Sequence, residues 1–202
     1  MESETILVME TSTVDATLLL SQGEKVIAQQ AFRSERSQEV DLIQPLKGLL
    51  AVLGESAQLS GVVVGTGPGS YNGARVGIAV AQAVGQIHGC PVAGLCSFQG
   101  VGKMNAIPVG DARRGGFFHL DETGQPVVLT REEFVCWADG RQNLGTFDPV
   151  DKLPVPVLGL RSTAEGLLMS WLQLQDEERK EAYRKGPSVF YVRPPHITKS
   201  KK

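Results

Sequence analysis

The residues with chemistry to offer fall into a few short groups. Glu10 is followed by three hydroxyls, Thr11, Ser12 and Thr13. A carboxylate where a strand turns back can orient a metal-bound phosphate, or the same side chains can satisfy the backbone of their own turn. The loop Gly67-Pro68-Gly69-Ser70-Tyr71-Asn72-Gly73 follows a strand and precedes a helical stretch. Its backbone N–H groups and the following helix N-terminus suit an anion. It is not a Walker A loop, because no Gly-Lys-Ser/Thr follows. It is also a poor dinucleotide fingerprint, because the next strand ends at Leu95-Cys96-Ser97 without the carboxylate that binds a ribose. Asp111 with Arg113 and Arg114 can grip a charged group, or hold the connection between two lobes by an ion pair and turn hydrogen bonds. His88, His119 and His196 stand apart, with no HxxxH or HExxH pair to place two imidazoles on one helical face. Ser70 sits in Gly-Pro-Gly-Ser rather than Gly-x-Ser-x-Gly, with no histidine in a partner position. No metal site is expected.

The composition narrows the class. The chain has 202 residues, 42% of them hydrophobic, and 20 Lys+Arg balance 22 Asp+Glu for a net charge of −2. That excludes a strong overall field toward nucleic acid or an anionic membrane, so any RNA contact is local or lent by a partner. Cys90, Cys96 and Cys136 are odd in number and show no paired CxxC spacing. A reduced, cytoplasmic setting is expected. No stretch approaches about 20 apolar residues, and Met1-Glu2-Ser3-Glu4 is acidic where a signal peptide would be basic.

Several elements must position these groups. Thr5 to Met9, Ala16 to Leu20 and Lys25 to Phe32 read as an antiparallel meander. Leu42, Leu46, Leu49 and Leu53, with Ile43 and Leu50, recur at amphipathic helical spacing, with Pro45 tolerable near the first turn. Gly61 to Gly65 reads as a strand buried on both faces, and a helix runs from about Ala74 to Ile87. That helix carries small residues four apart, Gly73, Gly77, Ala81 and Gly85. Each interior glycine costs about 0.8–1 kcal/mol relative to alanine, which implies close approach of another element, either the chain's own sheet or a partner. Further strands are expected at Pro91 to Leu95, Ala106 to Val109, Pro126 to Leu129 and Val155 to Leu158. Helices are expected at Thr130 to Trp137 and Ser162 to Leu174, with Asp176 to Lys185 a solvated mixed-charge face. A first lobe, residues 1–103, and a smaller second lobe, residues 104–202 with a frayed basic tail, are expected.

Taken together the motifs resemble the bacterial TsaB (YeaZ) family. The resemblance is carried by Ile6-Leu7-Val8-Met9-Glu10-Thr11-Ser12-Thr13, by Gly67-Pro68-Gly69-Ser70-Tyr71-Asn72-Gly73-Ala74-Arg75-Val76-Gly77, by Asp111-Ala112-Arg113-Arg114-Gly115 and by the closing Tyr191-Val192-Arg193. It implies an α/β actin/Hsp70/sugar-kinase-like (ASKHA) fold with mixed sheets, a complete first lobe and a reduced second lobe. The family-motif positions are Glu10, Thr11, Ser12, Gly67, Pro68, Gly69, Ser70, Arg75, Asp111 and Arg113. The implied role is a non-catalytic scaffold in making N6-threonylcarbamoyladenosine at tRNA position 37. Its partners are a TsaD-like catalytic subunit and a TsaE-like ATPase; tRNA is met indirectly, and whether a homodimer forms when the chain is alone is left open, although its small-residue face can pair with itself. No cofactor of its own is implied, with ATP or ADP and magnesium left to the assembly. Relatives associate through first-lobe helices, so Gly73, Gly77, Ala81 and Gly85, with Leu46 and Leu50, become the expected partner interface.

The sequence departs from the family where Glu10 replaces an aspartate, Tyr71-Asn72 replaces phenylalanine-threonine, and Gln38 stands nearest a usual histidine. The competing reading is a self-sufficient ASKHA-type phosphotransferase using Glu10 and the Gly67–Gly73 loop. It requires a phosphate grip from both lobes, which Val157-Leu158-Gly159-Leu160-Arg161 hardly supplies. A peptidase reading rests only on an old label attached to relatives and lacks a histidine pair.

Overall fold

The computed structural model describes residues 4–13, 15–33, 42–54, 58–101 and 105–193. Gln38, Asp41, Met104, His196 and the tail residues Lys199, Lys201 and Lys202 lie outside the described residues. The chain forms two compact units. The first comprises residues 1–104 and 161–190, the second residues 105–160 and 191–202.

In the first unit, strands β1 (Thr5–Glu10), β2 (Asp15–Gln22) and β3 (Lys25–Arg33) form the expected antiparallel meander. Strands β4 (Gly61–Gly65) and β5 (Val92–Leu95) then add in parallel, giving the order β3-β2-β1-β4-β5. The period-two alternation of β1 divides its side chains between two cores. Leu7 and Met9 join Leu18, Leu20, Val62 and Val64 beneath helices α1 (Ile43–Leu50) and α2 (Tyr71–His88). Ile6 and Val8 join Leu19 and Val63 beneath α4 (Ala164–Gln173), whose Leu167, Leu168 and Trp171 are fully buried. A sheet apolar on both faces must be covered on both.

That requirement corrects the extent of the second lobe, expected over residues 104–202, and not its start, since the units part after residue 104. Residues 161–190 belong to the first unit because α4 and α5 (Asp176–Lys185) supply the cover for one face of its sheet. The stretch expected as a purely solvated face is α5, a separate helix entered at Gln175 with a capping box. Its polar side faces solvent, while Ala182 and Tyr183 pack against the core. The Tyr183 hydroxyl end fills the space left by the absent side chain of Gly61.

In the second unit, β6 (Ile107–Arg113), β7 (Gly116–Leu120) and β8 (Pro126–Leu129) form an antiparallel meander. Strands β9 (Leu144–Thr146) and β10 (Leu158–Gly159) extend it in parallel on the other side of β6. Helix α3 (Arg131–Ala138) begins at Thr130 with a capping box to Glu133, and Phe134 anchors it in the core with Val109 and Phe117. The strand expected over Val155 to Leu158 shrinks to Leu158–Gly159. Here Pro154 and Pro156 interrupt any ladder, since proline donates no hydrogen bond. Strand β9 had no sequence expectation: three residues, Leu-Gly-Thr, are too few to show a period. Each unit thus holds a mixed sheet with helices, the α/β class expected.

Candidate functional site

The C-terminal end of β1 is where a strand delivers Glu10 into the first turn, and the carboxylate is 0% exposed. Its Oε1 accepts from the Ser12 N–H and the Ser12 hydroxyl, each at 2.7 Å. Its Oε2 accepts from the Ser162 hydroxyl at 2.7 Å. Ser12 Oγ meets Ser97 Oγ at 2.8 Å, and Ser97 Oγ accepts from the Gly67 N–H at 3.0 Å. The Ser97 N–H returns a bond to the Gly67 carbonyl at 2.8 Å. A buried charge survives folding only when its oxygens are matched by donors, and here both are. The strand neighbour Gly65 is required sterically, because a Cβ there would overlap the carboxylate.

The glycine-rich loop is bound to the same turn. The Ser70 N–H donates to the Ser12 carbonyl at 2.5 Å, and Thr11 Oγ1 donates to the Gly73 carbonyl at 2.8 Å. Gly67–Pro68 is a cis peptide, and Gly69 has φ +153°, a backbone only glycine adopts freely. A Cβ on Gly69 would also meet the Ser12 carbonyl. Ser70 caps α2, its hydroxyl accepting from the Gly73 N–H at 3.2 Å. Burial pushes the Cys96 thiol up to about 11, with the nearby Glu10 carboxylate adding to the shift.

The structure therefore brings together Glu10, Thr11, Ser12, Gly67, Pro68, Gly69 and Ser70 in one hydrogen-bonded group. Arg75 lies exposed on α2, its guanidinium 5.2 Å from the centre of the Tyr71 ring. Asp111 and Arg113 belong to the second unit, where they shape the β6–β7 turn rather than a connection between lobes. Asp111 Oδ1 accepts from the Arg113 N–H at 2.6 Å and Oδ2 pairs with Arg113 Nη1 at 3.3 Å, while Arg113, Arg114 and Gly115 all have positive φ. The Asp111 N–H donates to Asp148 Oδ2 at 2.8 Å. Burial holds the Asp148 carboxyl above its usual range, against the opposing pull of that bond.

The expected partner interface is corrected. Gly73, Gly77, Ala81 and Gly85 face the chain's own sheet and are buried. A Cβ on Gly73 would strike the Thr11 carbonyl, one on Gly77 the Thr11 hydroxyl, and one on Gly85 the Val92 side chain. Leu46 is buried and Leu50 partly so, both in the core under α1. The small residues let α2 sit close to its own strands. The exposed residues of α2 are Tyr71, Asn72, Arg75, Ala79, Gln82, Ala83, Gln86 and Ile87, the last 80% exposed. Sequence reasoning missed Ser97 and Ser162 as partners in the Glu10 group. Ser97 enters the sequence analysis only as the end of a strand that lacks a carboxylate; Ser162, 152 residues from Glu10, offers no local signal. Among the described residues no group of three or more His, Cys, Asp or Glu side chains can hold a metal ion. No described helix is long and apolar enough to cross a membrane.

The family model "TsaD: tRNA N6-adenosine threonylcarbamoyltransferase" matches residues 32–131. An uncharacterized protein of Mycobacterium tuberculosis is 35% identical over 124 residues, covering 54% of this chain and 55% of its own length. The tRNA threonylcarbamoyladenosine biosynthesis protein TsaB of Bacillus subtilis is 29% identical over 118 residues, 55% of this chain and 52% of that protein. The chain spans about half the length of the curated relatives it matches. YeaZ from Pseudomonas aeruginosa superposes with a TM-score of 0.62 at 20% identity, over 96% of this chain and 100% of that one.

Proposed function

We propose that this chain, a TsaB/YeaZ-like protein of ASKHA-like fold, is a non-catalytic subunit in the synthesis of N6-threonylcarbamoyladenosine in tRNA, working by supporting a TsaD-like catalytic subunit. The observation that carries the non-catalytic part is the state of Glu10. Both of its oxygens are engaged by Ser12 and Ser162 of the same chain, and the side chain is wholly buried. A carboxylate that orients a metal-bound phosphate must face the ligand with an open lone pair. These residues do not fit that task; the group instead locks the β1 turn, the glycine loop and the start of α4 into one body.

The supporting surface in this proposal is the outward side of α1 and α2. On α2 it presents Ala79 and Ala83 among the polar Arg75, Gln82 and Gln86, with Ile87 exposed at one end. Small side chains at four-residue spacing let a second helix approach closely, and an exposed isoleucine gains from being covered. A TsaE-like ATPase and tRNA join through the assembly in this reading, and ATP and magnesium bind there rather than to this chain.

Co-expression with the TsaD-like subunit of the same cell, followed by size-exclusion chromatography with light scattering, tests the proposal. A stable complex is expected with the unaltered chain, and Ala83→Glu is expected to abolish it while leaving a folded monomer. Failure of the unaltered chain to associate with or without ATP and magnesium, or metal-dependent ATP turnover by the pure chain, would overturn it.

A further inference from the structure

The second unit carries a concavity of about 380 Å³ between the Arg114–Gly116 turn, the end of β8 and the first turn of α3. Three arginines line it, Arg114, Arg131 and Arg193. Glu132 and Glu133 share the rim, and Glu133 is engaged within the chain, its Oε2 accepting from the Thr130 N–H at 2.8 Å. Among the described residues, none of the three arginines enters an ion pair. The Arg193 Nε is buried and has no hydrogen-bond partner. An unmatched buried donor on a cation is costly to a fold, and most such groups find a partner. The guanidinium is held in place by shape: it occupies the space beside Gly116, where a Cβ would strike its Nη2. Among the described residues Arg193 is thus positioned without an ion-pair partner.

We propose that this concavity binds a small molecule through a phosphate group. Three guanidiniums against two carboxylates leave the rim net positive. Planar forks of N–H donors match the oxygens of a phosphate better than any other side chain does. The volume lies at the lower end of small-ligand pockets, enough for a phosphate together with the group it esterifies. The half-buried Arg193 gives the inner contact, and the exposed Arg131 and Arg114 close over the charge from the rim. The inference stands on the second unit alone and does not depend on the role proposed above.

Calorimetric titration of the full chain with inorganic phosphate and, separately, with adenosine 5′-monophosphate, in roughly 150 mM potassium chloride to screen surface charge, tests it. Saturable one-to-one binding is expected, weakened about tenfold or more by Arg193→Gln and by Arg131→Gln, each losing one charge-assisted contact. Equal affinity for the two probes would mean that the phosphate alone is recognised, and preference for the nucleotide that its nucleoside is held too; both support the site. Absence of saturable binding of either probe, or binding unchanged by Arg131→Gln, would overturn it. Arg131 is exposed, so that variant decides the matter even if Arg193→Gln fails to fold, which thermal melting by circular dichroism would show.

Discussion

At the scale of single residues, the buried Glu10 group behaves as one unit, because its donors converge on a carboxylate with no route to water. Glu10→Ala strands the Ser12 N–H and leaves a cavity, and is expected to cost about 3 kcal/mol or more in urea unfolding. Glu10→Gln is expected to cost less than about 1.5 kcal/mol: the amide oxygen keeps the Ser12 bonds at Oε1, and the Ser162 hydroxyl turns to accept from the amide nitrogen. Equal losses for the two variants would refute this account. A second prediction follows from Cys96, whose thiol ionises near 11 in the folded chain against an ordinary value of 9.0. The folded state holds the proton longer than the unfolded state, so stability is fully present below pH 9 and falls as the pH rises toward 11, by on the order of 2 kcal/mol. Tyr183, also held above its ordinary value by burial, steepens the fall at the top of that range. Cys96→Ala is expected to flatten the decline between pH 9 and 11 in denaturant melts.

At the scale of elements, the helix after the glycine loop shows how one pattern serves two faces. Gly77→Leu is expected to prevent folding, at a cost above about 3 kcal/mol, since its side chain meets Thr11 beneath α2. A folded Gly77→Leu monomer in circular dichroism would show that α2 can move off the sheet. The sequence made the stripe legible but not its direction: the small-residue spacing says that something comes close, and only the register of α2 on β4 says what. The meander, helices α1 and α2 and the place of α3 were readable from period and turn chemistry. Strand β9 and the packing of α5 were not, because three residues hold no period and because the contact of Tyr183 with Gly61 joins residues more than half the chain apart. The Glu10 turn and the loop were likewise legible as candidates, whereas Ser162 joins them only through folding.

At the scale of the whole molecule, the first unit is completed by residues on both sides of the second. A chain ending at residue 103 is therefore expected not to fold: Ile6, Val8, Leu19 and Val63 would lose Leu167, Leu168 and Trp171 from their face of the sheet. Far-ultraviolet circular dichroism and one-dimensional proton NMR of that fragment check the point, and dispersed, cooperative melting would contradict it. The same discontinuity bears on synthesis. A ribosome delivers residues at about 5–20 per second, so the sheet made first waits several seconds, one side bare and sticky, until α4 and α5 emerge. The nascent chain is thus most in need of a chaperone while its middle is being translated, and a pause in that interval would raise the yield of aggregate without altering a single contact of the finished protein.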